Sequence, residues 1–257
     1  MKADDRKQAI MDVLTQNGTA LVDELAEQFA VSRMTVHRDL DDLETAGLLR
    51  KMRGGATIAA SQKFMADFNI RSMQAVEEKR RIARAAAAFV EPGQIVVVDD
   101  GSTAACMADV LIDIRPLTVI TNNLSVITRL TGAPGITVLA LGGEYSRKFN
   151  GFFGLLAETA IKGLRADIAF MSCSAVNGAK AFHQDQEVVQ CKRLKLEAAE
   201  RRYLLVDDGK FGRQALHFFT DLSAFDAVIT SDDPAPEQQR RLTEAEIETV
   251  IAPRRAA

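Results

Sequence analysis

The sequence predicts an α/β chain in two parts, a small helical unit over residues 1–56 and a larger unit over residues 76–257 built on a mostly parallel sheet. Three observations predict it. Apolar residues up to Leu43 recur at helical spacing. Beyond Val76, strand-like apolar runs alternate with helix-like stretches, the pattern of βαβ units. Polar clusters follow several of those runs, where an open α/β sheet has its ligand crevice. With 257 residues and 47% apolar side chains there is material for one small and one medium core, which excludes wholesale disorder.

Asp4 or Asp5 can cap a first helix with Ile10, Val13 and Leu14 on its apolar face, and Asn17-Gly18 ends it. A second helix carries Val22, Leu25, Ala26 and Phe29. The chain breaks at Ala30-Val31-Ser32, and Ser32 is a good N-cap for a third helix whose Val36, Leu40 and Leu43 share one face. At about 100° per residue, Met34, Arg38, Asp41 and Thr45 then point away from the core, flanked by Thr35 and His37. The basic run Leu49-Arg50-Lys51-Met52-Arg53 and then Gly54-Gly55 suit two short strands and a tight turn.

This order is that of a helix-turn-helix with a wing. Such a unit places the first turns of its third helix in a major groove. Arg38 then reaches guanine and Arg33 and Thr35 hold phosphates. Ser32, Met34 and His37 share that surface, and Arg50, Lys51 and Arg53 form the wing. The alternative is a three-helix docking module with a solvated charged face. Bulk charge does not favour DNA: the net charge is −3, and the first 55 residues hold 8 Lys and Arg against 10 Asp and Glu. Placement favours DNA instead, since no acid lies between Arg33 and Arg38.

The run Ser32-Arg33-Met34-Thr35-Val36-His37-Arg38-Asp39-Leu40, followed by Leu43-Glu44, Gly47 and Arg53-Gly54-Gly55-Ala56, resembles the signature of the DeoR family of bacterial sugar-metabolism repressors. The family pattern reads Ser-x-x-Thr-Ile-Arg-Arg-Asp-Leu and closes on His-Gly-Gly-Ala. Here His37 replaces the first of the paired arginines and Arg53 replaces the wing histidine, which puts the operator sequence in question. The resemblance implies double-stranded operator DNA as a partner.

Residues 57–75 read as a linker in which Phe64, Phe68 and Ile70 mark a helix or extended arm that can pack on the next domain. Strand-like runs follow at Ile95–Asp99, Leu117–Thr121, Ile136–Leu141, Ile168–Cys173, Tyr203–Asp207, Ala227–Thr230 and Thr249–Ile251. Helix-like stretches fall between most of them, at Glu77–Val90, Ala104–Ile112, Leu124–Leu130, Leu155–Leu164, Glu187–Arg201 and Glu237–Leu242. Alternation of this kind implies a parallel sheet covered by helices.

The clusters Asp99-Asp100-Gly101-Ser102-Thr103, Thr121-Asn122-Asn123, Gly142-Gly143-Glu144 and Asp207-Asp208-Gly209-Lys210-Phe211 converge on one sheet edge, which predicts a small-molecule site. Gly101-Ser102-Thr103, between strand and helix, suits a phosphate; it equally suits an ordinary turn with a Ser/Thr cap. It is neither a Walker A loop nor GxGxxG. Lys210 supplies positive charge, and Asp99 or Asp207 can accept sugar hydroxyls, demands that a phosphorylated sugar meets together. His183, with Gln184 and Asp185, either lines this pocket or is exposed beside an Asp185 helix cap. One His and one or two carboxylates do not make a metal site, and no cofactor is expected.

Glu78-Lys79-Arg80 with Ile82-Ala83, the loops just named, Leu141-Gly142-Gly143, and Glu187 with Lys192 resemble the DeoR-type effector domain in its order, so the likeness runs from Met1 to about Asp232. That domain is similar in fold to ribose-5-phosphate isomerase, glucosamine-6-phosphate isomerase and CoA transferases. The resemblance implies a phosphorylated sugar-pathway intermediate as inducer. It implies effector contacts at Lys79, Asp99, Gly101, Ser102, Thr103, Thr121, Asn122, Gly142, Gly143 and Lys210. Glu187 and Lys192 read instead as an i, i+5 pair within a helix.

Three widely spaced cysteines, Cys106, Cys173 and Cys191, suit free thiols in a reducing compartment, and with no apolar signal core a cytoplasmic location is expected. The leading expectation is a transcriptional regulator, a repressor released by a phosphosugar. It is expected to be a homo-oligomer, because paired helix-turn-helix units read paired half-sites. The alternatives are a phosphosugar isomerase or CoA transferase with an appended module, and an architectural DNA binder without a ligand.

Overall fold

The computed structural model describes residues 3–45, 48–57 and 68–254, so the expectations on Gly47 and Phe64 lie outside the described residues. Contacts divide the chain into two compact units, Met1–Gln74 and Ala75–Ala257. Among the described residues no helix is long and apolar enough to cross a membrane.

The first unit contains α1 (Ala3–Asn17), β1 (Thr19–Leu21), α2 (Val22–Gln28), α3 (Arg33–Thr45), β2 (Arg50–Met52), β3 (Gly55–Thr57) and α4 (Phe68–Met73). Asp4 and Asp5 lie inside α1 rather than ahead of it as caps. Gly18 ends α1 with φ +74° and donates to Leu14 O at 2.8 Å, the left-handed stop that glycine makes without strain. Ala30 turns the chain between α2 and α3 at φ +51°, and Ser32 Oγ caps α3 by accepting from Thr35 N at 3.1 Å. Ile10, Leu14, Leu25, Val36, Leu40 and Leu43 form the core.

Two features go beyond the expected wing. Thr19–Leu21 adds a third strand, in the order β1-β3-β2. Ile70, expected in an arm toward the following domain, is instead fully buried in the core of the helical unit. The wing also requires a particular glycine. A Cβ at Gly55 would stand 2.3 Å from Ala20 O on the paired strand β1. Gly55→Ala should therefore destabilise the unit by about 1–3 kcal/mol, seen as an earlier denaturant midpoint of the full chain. A loss below about 0.5 kcal/mol would mean that the strands separate at little cost.

The second unit opens with α5 (Val76–Ala87). Then come β4 (Ile95–Val98), α6 (Ser102–Ala105), α7 (Met107–Leu111), β5 (Leu117–Thr121), α8 (Leu124–Leu130) and β6 (Ile136–Ala140). A hairpin of β7 (Glu144–Ser146) and β8 (Gly151–Phe153) leads through α9 (Leu155–Lys162) to β9 (Ala166–Ser172), β10 (Ala175–Asn177) and β11 (Lys180–His183). The rest is α10 (Gln186–Glu197), β12 (Ala199–Val206), β13 (His217–Asp221), β14 (Ala227–Thr230), α11 (Pro236–Glu244) and β15 (Thr249–Ile251). The seven expected runs are the seven strands of one parallel sheet, in the order β15-β14-β12-β9-β4-β5-β6.

Period-2 alternation divides the strand residues between two cores. Val97, Ala169, Met171, Leu204 and Val206 face one way with Ile161 and Val189 of α9 and α10. Val96, Val98, Ile168, Phe170 and Leu205 face the other with Ile82, Met107 and Val126 of α5, α7 and α8. From β4 the chain builds outward to β5 and β6, then returns beside β4 with β9 and builds the other way. The strand order therefore reverses between β4 and β9, the point where open α/β sheets form their crevice.

Candidate functional site

At the switch point stands Asp99, one residue past β4. The sequence suggests a sugar-hydroxyl acceptor; the structure shows a carboxylate fully occupied by protein groups. Asp99 Oδ2 accepts from Ser172 N at 3.0 Å and Ser172 Oγ at 2.8 Å. Lys192 Nζ and Lys195 Nζ each donate to one of its oxygens. Lys195 Nζ also reaches Asp100 Oδ1 and Asn122 Oδ1, each at 2.9 Å, and Lys192 Nζ lies 3.2 Å from Asp100. All of these side chains are buried, so two carboxylates and two ammonium groups neutralise one another away from water.

Asp99 and Lys195 are held in their ionised forms. Burial alone would raise the Asp99 carboxyl, but Lys192 and Lys195 outweigh it and hold it well below the usual range. Burial would lower Lys195; Asp100 and Asp99 outweigh it and raise it. Lys192 is therefore not the i, i+5 partner of Glu187. One helical turn separates Lys192 from Lys195, so both face the quartet from α10.

Several other expected contacts are framework. Thr121 Oγ1 accepts from Asn123 N at 3.1 Å, and Asn122 Nδ2 donates to Phe152 O at 2.9 Å. Asn123 caps α8 through Ser125 N at 2.9 Å. A Cβ on Gly101 would lie 1.8 Å from Ser172 Oγ, and one on Gly143, which has φ +140°, would lie 2.2 Å from Phe153 O. Gly142 has open space around it. Asp185 caps α10, accepting from Glu187 N at 3.1 Å. His183 is buried rather than exposed; its Nδ1 accepts from Asp185 N at 3.2 Å and its ring packs on Phe149.

A second group has a different character. Lys210 follows β12 on the short 3-10 turn Asp208–Lys210. Its Nζ donates to Thr103 Oγ1 at 3.2 Å and lies 3.1 Å from Asp207 Oδ2. Lys79, buried on α5, acts on the same carboxylate: burial would raise Asp207, but Lys210 and then Lys79 outweigh it and lower it. Ser102 Oγ, next to Thr103, is buried and meets no hydrogen-bond partner among the described residues. Three separate elements thus bring two cations and two hydroxyls together around the Asp207 carboxylate. Because α6 has only four residues, the side chains rather than a helix dipole supply the attraction for an anion.

On the first unit, Arg33, Met34, His37 and Arg38 are exposed on the first turns of α3, with Met34 78% accessible. Arg50 and Arg53 are exposed on the wing. Two expected DNA-binding residues already hold carboxylates: Arg33 pairs with Asp23 at 2.7 Å and Lys51 of the wing with Asp41 at 2.5 Å. Exposed pairs of this kind contribute about 0–1 kcal/mol and exchange readily for a phosphate. Thr35 Oγ1 lies 2.9 Å from Ser32 Oγ, so both hydroxyls serve the cap. Sequence reading missed the buried fork between Arg6 and Asp39, with Nε–Oδ2 at 2.5 Å and Nη2–Oδ1 at 3.0 Å, which fixes α3 to α1.

Burial pushes the Cys173 and Cys191 thiols up to about 11, so both are protonated at neutral pH, and the three cysteines are free.

Residues 6–62 match the family model described as DeoR-like helix-turn-helix domain, and residues 74–232 match the DeoR C terminal sensor domain. The chain is 30% identical over 249 residues to the glycerol-3-phosphate regulon repressor of Escherichia coli (strain K12), covering 96% of this chain and 98% of that one. It is 30% identical over 247 residues to the L-fucose operon activator of Haemophilus influenzae, covering 96% and 99%. It is 33% identical over 236 residues to the lactose phosphotransferase system repressor of Lactococcus lactis subsp. lactis, covering 90% and 92%. Among solved structures, ribose 5 phosphate isomerase A from Neisseria gonorrhoeae aligns at a TM-score of 0.38 and 15% identity, covering 53% of each chain.

Proposed function

The chain belongs to the DeoR family of transcriptional regulators, and on that premise we propose that it represses a carbohydrate-pathway operon and is released from DNA by a phosphorylated sugar held between Lys79 and Lys210. The observation that carries the effector reading is the uncommitted buried hydroxyl of Ser102, next to the Thr103 hydroxyl that Lys210 holds. A phosphate monoester offers acceptors to both ammonium groups and both hydroxyls. It would draw Lys210 from Asp207 and satisfy Ser102 Oγ, an unmade hydrogen bond that otherwise costs about 1–3 kcal/mol.

DNA enters through α3 and the wing, with Arg38 and His37 toward base edges and Arg33, Arg50, Lys51 and Arg53 toward phosphates. We infer a homo-oligomer in a cytoplasmic setting, since two such units read two half-sites. Relatives named for a glycerol-3-phosphate regulon, a fucose operon and a lactose phosphotransferase system support a carbohydrate or polyol pathway, and they include both repressors and an activator.

The test screens sugar phosphates for thermal stabilisation of the full chain and for release of its own promoter fragment in a gel shift. Lys210→Gln should weaken the response to the active compound by about 10- to 100-fold, as expected for a lost charged hydrogen bond of about 1.5–3 kcal/mol. A panel without any stabilising compound, or an undiminished response in Lys210→Gln, would remove this reading.

A further inference from the structure

We propose that Arg81 is the positioning residue through which the Lys210 turn acts on helix α5. The inference rests on the effector site proposed above. Arg81 lies two residues beyond Lys79 on α5 and holds a different set of partners. Its Nη2 donates to Ser231 O at 2.5 Å and to Ala252 O at 2.8 Å, its Nε donates to Pro253 O at 3.3 Å, and its Nη1 pairs with Asp232 at 3.3 Å. One guanidinium thus holds the loop after β14 and the segment after β15 against α5.

Ser231 is the link to the site. Its hydroxyl donates to Asp208 Oδ1 at 3.0 Å and accepts from Asp208 N at 3.1 Å. Asp208 begins the three-residue turn that ends at Lys210. The turn therefore reaches α5 by two routes, Asp207 to Lys79 by charge and Asp208 to Arg81 by way of Ser231. Arg80, between the two, makes an exposed pair with Glu77 and takes no part.

The mechanical consequence follows from the chemistry of the groups. A phosphate that draws Lys210 away from Asp207 shifts the turn, and Ser231, bonded twice to its first residue, shifts with it. A guanidinium has a rigid planar fork of donors, so it transmits that displacement where a flexible lysine would absorb it. α5 packs as one body through Ile82, Ala83 and Ala86. Coupling needs a contiguous element biased from the effector site, and α5 meets that description.

Hydrogen exchange on the full-length protein tests this with inorganic phosphate as the probe and sodium chloride at matched ionic strength as the control. In the wild type, phosphate should slow exchange at residues 208–210 and at α5 by at least about fivefold, the lower end of ordinary coupling. In Ser231→Ala and, independently, in Arg81→Lys, the effect at 208–210 should persist and that at α5 should fall by about half or more, leaving only the part carried by Lys79. Protection at 208–210 without protection of α5 in the wild type, or undiminished α5 protection in both variants, would overturn the coupling and leave the effector site standing. Protection at neither place would remove the effector site, and this inference with it.

Discussion

Lys195→Met should cost the second unit about 3–5 kcal/mol, the usual price of leaving a buried charge without its partner. Lys195 is fully buried and serves Asp99, Asp100 and Asn122 at once. Without it, two carboxylates remain with the single ammonium of Lys192. Chemical denaturation of the full chain near neutral pH reads the loss directly, and a loss under about 1 kcal/mol would mean that water enters and screens the site.

The pH dependence has a definite sign. Asp99 is lowered in the folded state, so its contribution is fully present above the unfolded value of about 4 and is lost as pH falls further toward the folded value. Lys195 is raised, so its contribution is present below the unfolded value of about 10.4 and is lost as pH rises through its folded value. Between those limits these two contributions are constant. In Lys195→Met one carboxyl faces a like charge and should bind its proton more tightly folded than unfolded. The gap between variant and wild type should accordingly narrow as pH is lowered from about 7 to about 5.

Arg38→Ala should weaken operator binding by about 5- to 150-fold, the equivalent of the ~1–3 kcal/mol ascribed to a good bidentate base contact. Arg38 is exposed on α3, so its removal should leave the denaturation midpoint unchanged. Arg53→Ala removes a wing cation instead. It should weaken binding uniformly across sequences and lower the salt slope by about one. Arg33→Ala should cost less, because Arg33 must first leave Asp23. If Arg38→Ala binds its promoter as the wild type does, α3 is not the reading helix.

The sheet was legible because each of its strands is a short apolar run next to turn residues, and burial on both faces leaves nothing else for such a run to do. The winged unit was legible for a related reason: Val36, Leu40 and Leu43 keep one period through α3. The boundary after α10 was not. Glu187–Arg201 reads as helix, yet α10 stops at Glu197 and Ala199 already pairs with β9. Ala198, Ala199 and Glu200 are good helix formers, and only the tertiary strand partner overrides them. The short strands β7, β10 and β11 were likewise unforeseen, having three or four residues and no period to detect.

The site was legible in place more than in role. Asp99 and Asn122 fall at the crevice as expected, but polar residues there serve either a ligand or the framework. The deciding partners of Asp99, Lys192 and Lys195, lie 93 and 96 residues away. Their spacing of three on one helix face was the available signal.

The close approach of Gly101 to Ser172 also bears on how this chain can vary. Any side chain at position 101 requires position 172 to shrink, since an added Cβ would lie 1.8 Å from Ser172 Oγ. Shrinking it takes a hydroxyl donor from Asp99. A change at position 101 is thus inherited as a change in the charge quartet, and position 101 cannot drift alone. Altering ligand preference by substitution should therefore be easier at Ser102 and Lys210 than one residue earlier at Gly101, although all three border the same crevice.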